Sequence, residues 1–531
     1  MPDLTELEHE IEARMKAGHV PGLSLAAIQN GEIVYARGFG VASVETGLAV
    51  TPDTLFRIGS ITKSMTATAV MRLVEAGKLE LDRPVREYVP RLTFSDESAT
   101  ERITLRRLLS HSAGLPTDYA PYGRRDPGAL EAYVRERMAG YPFIAPPGKL
   151  YAYSNPGVRL AGLVAQVAGG RPYTELMQEL VFDPLDMKRT TFDPTVAMTY
   201  PLAQSHELAG DGSVRVQHRF ADNAGTYPSG MAMSTSLDLL NFASMLMNGG
   251  RFRHRQILST KSAAEMQTVQ TDRYTVTDGG YGFGLAVDSY RGLRRVSHNG
   301  SISSFGSRVA MIPDSGVAVV ILLNRAQGFW AVMEQIVDDM LDRLLGLPAS
   351  PLPEPAAVEP NRSAWPLYTG TYLGDWTGLA TIRAADGRLV LDWNGATVPL
   401  SAYSDNVYFG RKPGDEAIIS VGFVGEDGRP VRYLMIDSSP GARYEPDPAF
   451  RPDPATWQGY AGRYTGVEGL TVRLEGGRLL VYSDDEGAEV PCVALSNARF
   501  ACDVGLIEFQ VAADGSVPSL KFGRVYTLCR E

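Results

Sequence analysis

Ser60-Ile61-Thr62-Lys63 follows the strand-like residues 54–58 and Gly59, and it begins a predicted helix. The spacing places the side chains of Ser60 and Lys63 on one helix face, one turn apart. The helix N-terminus presents free N–H groups and a positive dipole end to the serine, which favours an alkoxide or a developing oxyanion. The pattern predicts a nucleophilic serine beside a lysine. Because Ser-x-x-Lys also arises by chance in a long chain, an ordinary helix start is the alternative.

A second motif, Tyr153-Ser154-Asn155, lies between Pro146-Pro147-Gly148 and Pro156-Gly157 and is predicted to be a loop. A phenol with an ordinary pKa of about 10 serves as a base only if neighbouring cations lower that pKa. Lys63 is the candidate cation for Tyr153, and the amide of Asn155 is a candidate to orient both a substrate carbonyl and Lys63. An aromatic loop without catalytic function is the alternative.

A third motif, His298-Asn299-Gly300-Ser301, follows a short basic strand and leads into another strand. We expect His298 to hydrogen-bond Tyr153 and, in its neutral form, to support activity that rises through about pH 6–7. Gly300 would let a substrate approach the backbone, and the N–H of Ser301 would pair with that of Ser60 as an oxyanion site. A hairpin with an Asn-Gly turn is the alternative. We interpret His111 as a structural contact at a helix end.

Sequence patterns typical of β-strands occur near both ends of the first 347 residues, and the region between them is predicted to be rich in helices. The apolar residues Leu4, Leu7, Ile11 and Met15 predict an N-terminal helix, and Asn30-Gly31 predicts the turn of a hairpin. Strands are predicted again at 294–297, 307–312 and 317–323, before a last helix that carries Trp330, Met333, Ile336, Met340 and Leu344 on one face. The sequence therefore predicts an α+β fold in which one antiparallel sheet, built from both ends of residues 1–347, is packed by helices.

The remainder of the chain contains an internal repeat. Residues 348–364 form a Pro-rich linker, and Trp365-x-x-Tyr368-x-Gly370-x-Tyr372 recurs as Trp457-x-x-Tyr460-x-Gly462-x-Tyr464. Alternating apolar and polar residues within both repeats are typical of strands. We therefore predict two small all-β, barrel-like domains at 365–439 and 457–531, joined by a second linker at 440–456.

Composition excludes several classes of protein. A formal net charge of −10 argues against nucleic acid as a partner, and no apolar run is long enough to span a membrane. The three cysteines, Cys492, Cys502 and Cys529, all lie near the C-terminus, which excludes a catalytic thiol or a Cys-ligated zinc earlier in the chain. No signal peptide is visible, so a cytoplasmic location is expected. We predict no metal and no organic cofactor, and a homo-oligomer is possible.

The three motifs, in this order, resemble the serine β-lactamase and penicillin-recognising superfamily. The likeness covers about residues 1–347 and is greatest for the class C-like branch, which includes D-aminopeptidases, D-Ala-D-Ala carboxypeptidases and related esterases. It implies that Ser60 is the nucleophile, that Lys63 and Tyr153 share the role of base, and that His298 takes the place of a lysine or histidine in the third motif. By the same likeness Asn155, Asn299, Gly300 and Ser301 would bind the substrate amide and the oxyanion.

This resemblance implies an acyl-enzyme hydrolase whose substrate is a small peptide or ester. The third motif of dedicated β-lactamases is usually Lys-Thr-Gly, whereas His298-Asn299-Gly300 is more similar to that of the peptidases and esterases. We therefore expect a peptidase or amidase acting on short, linear or D-residue-containing peptides. A carboxylesterase acting on short acyl esters is the main alternative, and a β-lactamase or a non-catalytic binding protein is a lesser one. The tail resembles that of D-aminopeptidases, in which such barrels border the active site and restrict substrate entry.

Overall fold

The fold was analysed in a computed structural model that describes residues 4–348, 353–426, 428–466, 469–483 and 488–531. Within the first linker predicted from the sequence, residues 349–352 lie outside the described residues.

An eight-stranded antiparallel sheet forms the centre of the first domain. Its order across the sheet is β2-β1-β8-β7-β6-β5-β4-β3, so β1 pairs both with β2 and with β8, the last strand of this domain. This arrangement confirms the prediction of one sheet built from both ends of the domain. The strands are β1 Gly22–Gln29, β2 Glu32–Gly40, β3 Thr271–Asp272, β4 Gly280–Tyr281, β5 Ala286–Tyr290, β6 Leu293–Ile302, β7 Phe305–Ile312 and β8 Val317–Leu323.

Helices cover both faces of this sheet. The described helices longer than ten residues are α1 Thr5–Ala17, α2 Thr62–Glu75, α3 Asn155–Gly169, α4 Ser236–Met247 and α5 Trp330–Leu345. Shorter α-helices are Glu97–Thr100, Leu105–Leu109, Ala129–Ala132, Tyr173–Met177, Pro194–Ala197, Tyr227–Gly230, Thr260–Met266 and Trp365–Tyr368. Three small two-stranded sheets pair Phe56–Arg57 with Met233–Ser234, His206–Leu208 with Val214–Val216, and Arg251–Phe252 with Arg255–Gln256.

The pattern of apolar residues explains why helices pack on both sides. In β1, Leu23, Leu25 and Ala27 join a core with α1 and α5. Ala26 and Ile28 point the other way, into a second core formed with α2, α3 and α4. Because β8 is buried on both faces, its sequence is a continuous apolar run and does not alternate. No helix among the described residues is long and apolar enough to cross a membrane.

Two β-barrels follow the first domain. The first barrel is closed, and its eight strands are β9 Gly370–Gly374, β10 Gly378–Ala385, β11 Arg388–Trp393, β12 Ala396–Ala402, β13 Val407–Gly410, β14 Ile419–Val424, β15 Tyr433–Ile436 and β16 Ser439–Tyr444. The second is nearly closed, in the order β20-β19-β18-β17-β25-β24-β23-β22-β21. Its strands are β17 Gly462–Thr465, β18 Gly469–Glu475, β19 Arg478–Ser483, β20 Ala488–Pro491, β21 Val493–Ala494, β22 Arg499–Cys502, β23 Gly505–Gln510, β24 Ser519–Phe522 and β25 Tyr526–Arg530.

The two barrels use the repeated tyrosines in the same way. In the first, the hydroxyl of Tyr372 donates to the carbonyl oxygen of Tyr368 at 2.7 Å. In the second, Tyr464 donates to the carbonyl oxygen of Tyr460 at 2.9 Å. The sequence repeat is therefore also a structural repeat. The last strand of the first barrel, β16, lies at the predicted boundary at 439 and continues to Tyr444, because it must pair with β9 to close the barrel.

Candidate active site

Ser60 lies in a short 3-10 turn, Gly59–Ile61, immediately before α2. Gly59 has a φ of +48°, and a Cβ atom there would lie 2.6 Å from the backbone nitrogen of Ser301. A Cβ atom at Gly300 would lie 2.0 Å from the carbonyl oxygen of Ile58. Both glycines are therefore required for the turn that carries Ser60 to pack against the backbone of β6.

Lys63 is fully buried in the first turn of α2. Its Nζ atom donates to the Oγ atom of Ser60 at 2.8 Å and to the carbonyl oxygen of Ser229 at 2.5 Å. Burial lowers the pKa of the Lys63 amine well below its ordinary value, and the nearby Arg159 cation adds to the effect. A neutral amine at this position can accept the hydroxyl proton of Ser60.

A buried ion pair lies behind Lys63. Arg159 is 2% exposed and pairs with the fully buried carboxylate of Asp118. The Nε atom of Arg159 also donates to the hydroxyl of Ser229 at 2.9 Å, so Ser229 connects the arginine to Lys63. Tyr133 and Tyr141 donate to Asp118 at 2.7 and 2.6 Å. The network holds the Arg159 guanidinium close to the lysine, and no carboxylate among the described residues forms an ion pair with Lys63.

Tyr153 faces the same pair of residues. The Nζ atom of Lys63 lies 4.9 Å from the centre of the Tyr153 ring. Desolvation raises the pKa of the Tyr153 phenol above its ordinary value, and this effect outweighs the lowering that comes from its hydrogen bond with Ser60. The expectation that Lys63 lowers this pKa is wrong, because burial of the phenol is the largest effect on it and Lys63 is not among the groups that shift it. Tyr153 is therefore protonated at neutral pH.

His298 contacts a tyrosine other than the expected one. Its Nε2 atom lies 2.7 Å from the hydroxyl of Tyr281, and its Nδ1 atom lies 2.5 Å from the carbonyl oxygen of Asn299. Because a carbonyl can only accept, Nδ1 carries the proton and the Tyr281 hydroxyl donates to Nε2. The expected hydrogen bond from His298 to Tyr153 is not formed. Burial lowers the pKa of His298 to about 3, so the ring is neutral throughout the physiological range.

His111 supports the loop that carries Tyr153. It is 1% exposed, and its Nδ1 atom accepts the backbone N–H of Ser154 at 3.1 Å. The rings of His111 and Tyr153 are stacked at a tilt, with centroids 4.3 Å apart. The structural contact predicted for His111 therefore acts on the second motif itself, and burial lowers the pKa of this histidine well below its ordinary value.

Strand β6 presents a free edge to Ser60. It pairs with β7 from Val296 to Ile302 but with β5 only up to Ser297. The next residues, from His298 onwards, therefore lack a strand on the β5 side among the described elements. Since Ile302 and Phe305 close a two-residue hairpin, Ser301 is at the alternate position, whose backbone groups point away from β7. The N–H of Ser301 is thus available beside the turn that carries Ser60.

The two asparagines of the motifs are held by neighbouring groups. Asn155 begins α3, and its amide donates to the carbonyl oxygen of Asp118 at 2.8 Å. Asn299 donates to Glu334 at 3.2 Å and accepts a hydrogen bond from Arg308. The structure therefore brings Asn155 to the cleft as a fixed residue, and it places the Asn299 side chain in a network with α5.

An open cleft of about 1060 Å³ contains these groups. Among its lining residues are Ser60, Tyr153, Asn155, His298, Asn299, Gly300 and Ser301. All of the lining residues in the described part of the chain lie between 60 and 334, so the first domain forms the walls. The first barrel supports these walls from behind: Tyr433 and Met435 of β15 pack against Tyr151 and Tyr281.

The arrangement has the parts needed for nucleophilic catalysis: a hydroxyl, an amine of lowered pKa in contact with it and backbone donors beside it. Sequence reasoning identified Ser60, Lys63, Tyr153 and His298, because each occurs in a recognisable motif. It missed the roles of Ser229, Arg159 and Asp118, which lie far from the motifs or carry no local signal. Nothing in the sequence indicated that Tyr281 contacts His298.

Residues 7–340 match the beta-lactamase family. Penicillin-binding protein 4 of Amycolatopsis lactamdurans is 30% identical over 380 residues, which cover 70% of this chain and 97% of that protein.

Solved structures also resemble the chain. The octameric penicillin-binding protein homologue from Pyrococcus abyssi is 27% identical with a TM-score of 0.59, and the match covers 83% of this chain and all of that one. SurE is 26% identical with a TM-score of 0.65, over 83% of this chain and 98% of its own. The D-amino acid amidase from Ochrobactrum anthropi SV3, at 24% identity and a TM-score of 0.54, covers 64% of this chain and 98% of its own and shares the fold.

Proposed function

Since the chain belongs to the beta-lactamase family, we propose that it is a serine hydrolase that cleaves its substrate through an acyl-enzyme on Ser60. The observation that carries the proposal is the 2.8 Å contact between the Nζ atom of Lys63 and the Oγ atom of Ser60, in surroundings that lower the pKa of the amine. A lysine that is neutral at pH 7 is a competent base, whereas an ordinary surface lysine is not.

The reaction begins when Lys63 accepts the proton of Ser60 as the oxygen attacks the substrate carbonyl. The negative charge that develops on the carbonyl oxygen is stabilised by the N–H groups of Ser60 and Ser301. Because the Tyr153 phenol is protonated, it is suited to donate its proton to the leaving nitrogen or oxygen and to recover one from Lys63. The bond to the leaving group breaks, and the acyl group remains on Ser60.

Hydrolysis of the acyl-enzyme uses the same groups in the reverse order. A water molecule loses a proton to the Lys63–Tyr153 pair and attacks the ester carbon, and Ser60 regains its proton as the acid is released. His298 holds Tyr281 at the cleft wall and takes no proton in this scheme.

We propose a peptidase or amidase that acts on short, linear or D-residue-containing peptides. The free edge of β6 supports this proposal, because an extended peptide can add its backbone to an unpaired strand edge. A carboxylesterase remains the alternative, because the same groups cleave esters with better leaving groups. A relative solved as an octamer supports a homo-oligomer, which light scattering after gel filtration would measure.

Hydrolysis of D- and L-alanine p-nitroanilide, measured beside that of p-nitrophenyl butyrate, tests this function. We expect the Ser60→Ala variant to lose about 10⁴-fold or more in rate on every substrate that the enzyme cleaves. Ser98→Ala is a matched control, because Ser98 is an exposed serine of the same domain that bonds only to Asp96 among the described residues.

Anilide cleavage that depends on Ser60 supports the amidase, and the ratio of the D to the L rate gives its stereochemical preference. Cleavage of the ester alone favours the carboxylesterase. A rate that is retained in Ser60→Ala would contradict the nucleophile and with it the proposed function.

A further inference from the structure

Arg273 lies on the wall of the same cleft as Ser60 and His298. It follows β3, and its backbone N–H donates to the carbonyl oxygen of Gly279 at 3.0 Å, so the main chain is anchored to the sheet. Its guanidinium lies over the ring of Tyr151, 5.6 Å from the centroid. The side chain is therefore held at the end of the cleft where β6 leaves its pairing with β5.

The other cleft-lining arginines are neutralised. Arg295 pairs with Asp288 at 2.8 Å, and Arg308 pairs with Glu334 at 2.7 Å. Arg273 has no carboxylate within 4.0 Å among the described residues.

Two further carboxylates near the cleft form no ion pair with Arg273 within 4.0 Å. Glu207 also lines the cleft, but it adjoins His206, whose backbone N–H donates to Ser304 at the opposite, hairpin end of β6. The carboxylate of Asp437, in the first barrel, accepts the N–H of Ser420 at 2.9 Å. Burial raises the pKa of Asp437, and the charge of Arg273 acts against this at a distance without forming an ion pair. Arg273 is therefore a cleft cation without an ion-pair partner in the part of the chain that the structure describes.

Most of the donors of Arg273 are available. Its Nε atom donates to the hydroxyl of Ser438 in the first barrel at 3.2 Å. Neither Nη group has a hydrogen-bond partner among the described residues. The planar fork of a guanidinium matches the two oxygens of a carboxylate, and this geometry makes arginine the usual partner where carboxylates are recognised in clefts.

His298 cannot supply a positive charge for binding a substrate carboxylate. Burial is the main cause that lowers its pKa to about 3, and Lys63, Arg273 and Arg308 add to the lowering, so the third motif presents a neutral side chain to the substrate. A substrate anion in the cleft would therefore meet Arg273 as its available cation.

We propose that Arg273 binds the free C-terminal carboxylate of a short linear peptide whose backbone lies along the free edge of β6. This inference rests on the proposed function and names its substrate class: peptide acids in preference to peptide amides or neutral esters. Ser438 holds the guanidinium by its Nε atom and leaves the fork open, so the first barrel positions the substrate-binding arginine although it lines none of the cleft.

Competition against p-nitrophenyl butyrate hydrolysis tests the proposal without requiring that the peptides be cleaved. The probes are acetyl-Ala-Ala with a free carboxylate and its C-terminal amide, each in the D,D and L,L forms. The ratio of the inhibition constants, amide over acid, is measured for the wild type, Arg273→Gln, Arg273→Lys and Ser438→Ala. Arg295→Gln is a matched control, because Arg295 lines the same cleft but is paired with a carboxylate.

We expect the wild type to bind the acid at least about 10-fold more tightly than the amide in one stereochemical series, as charge-assisted hydrogen bonds allow. This ratio should fall to near one in Arg273→Gln, fall partly in Arg273→Lys and Ser438→Ala, and persist in Arg295→Gln. A wild-type ratio near one, no inhibition by any of the peptides, or a ratio unchanged in Arg273→Gln would overturn the proposal. These outcomes leave the Ser60-dependent ester rate intact, so they are distinguishable from failure of the proposed function.

Discussion

The Nε2 atom of His298 lies 2.7 Å from the hydroxyl of Tyr281, and the histidine is neutral because burial lowers its pKa to about 3. This pairing removes His298 from contact with Tyr153 and gives it a fixed tautomer. It also changes the pH dependence expected from the third motif.

We predict that His298 causes no step in the pH–rate profile between about pH 5 and 8, because a group with a pKa near 3 does not titrate there. The His298→Asn variant should lose rate but keep the shape of the wild-type curve of kcat/KM against pH. Tyr281→Phe, which removes only the hydroxyl that donates to Nε2, is the matched control for the contact. A wild-type step near pH 6–7 that disappears in His298→Asn would contradict the assignment.

The lowered pKa of His298 also makes the stability of the folded protein depend on pH. Its folded pKa of about 3 lies below the ordinary value of 6.5, so the unfolded state binds the proton first as the pH falls. The stability contribution is therefore complete above about pH 6.5 and is lost progressively towards pH 3, at about 1.4 kcal/mol per pH unit. Between about pH 7 and 5, scanning calorimetry should show a smaller fall in Tm for His298→Asn than for the wild type. Equal losses would indicate that the pKa of His298 is nearly the same in the folded and unfolded states.

Lys63 is predicted to act as a base and not as a fixed charge. Both Lys63→Met and Lys63→Arg should reduce kcat by about 10²–10⁴-fold, because methionine cannot accept a proton and arginine cannot lose one. The rate of p-nitrophenyl butyrate hydrolysis measures the effect, and the Tm identifies variants that fail to fold. Substantial activity in Lys63→Arg would show that a positive charge is sufficient and that another group removes the proton of Ser60.

The buried pair of Asp118 and Arg159 is predicted to be essential for stability. Asp118→Asn leaves the Arg159 charge uncompensated in a site that excludes water, which should cost about 3–5 kcal/mol. Asp82→Asn is the matched control, since Asp82 also pairs with an arginine but is 69% exposed, and its loss should cost less than about 1 kcal/mol. Equal Tm values for the two variants would contradict this role of the buried pair.

The fold of the first domain was predictable because local patterns in its sequence mark turns, strands and helices. Asn30-Gly31 forms the predicted hairpin turn, and the run Val317–Leu323 is strand β8 along its whole length. Trp330 begins the last long helix of the domain, as its repeating apolar face indicated. Such features depend on neighbours within a few residues, and these are visible in a sequence.

The contacts within the site were less predictable. His298 and Tyr281 are separated by 17 positions, whereas Arg159 and Ser229 are separated by 70. Nothing in the spacing of the motifs distinguishes Tyr153 from Tyr281 as the partner of His298. The direction of the Tyr153 pKa also depends on burial, which follows from the packing of the whole domain. Motifs therefore predicted which groups come together in the cleft, whereas the contacts and the burial that shift their pKa values depend on the folded domain.

The most direct test of the central claim is intact-protein and peptide mass spectrometry after reaction with a fluorophosphonate. The account predicts one covalent adduct per chain, on the peptide that contains Ser60, and none in Ser60→Ala. Labelling at another residue, or equal labelling of the Ser60→Ala variant, would contradict an acyl-enzyme on Ser60.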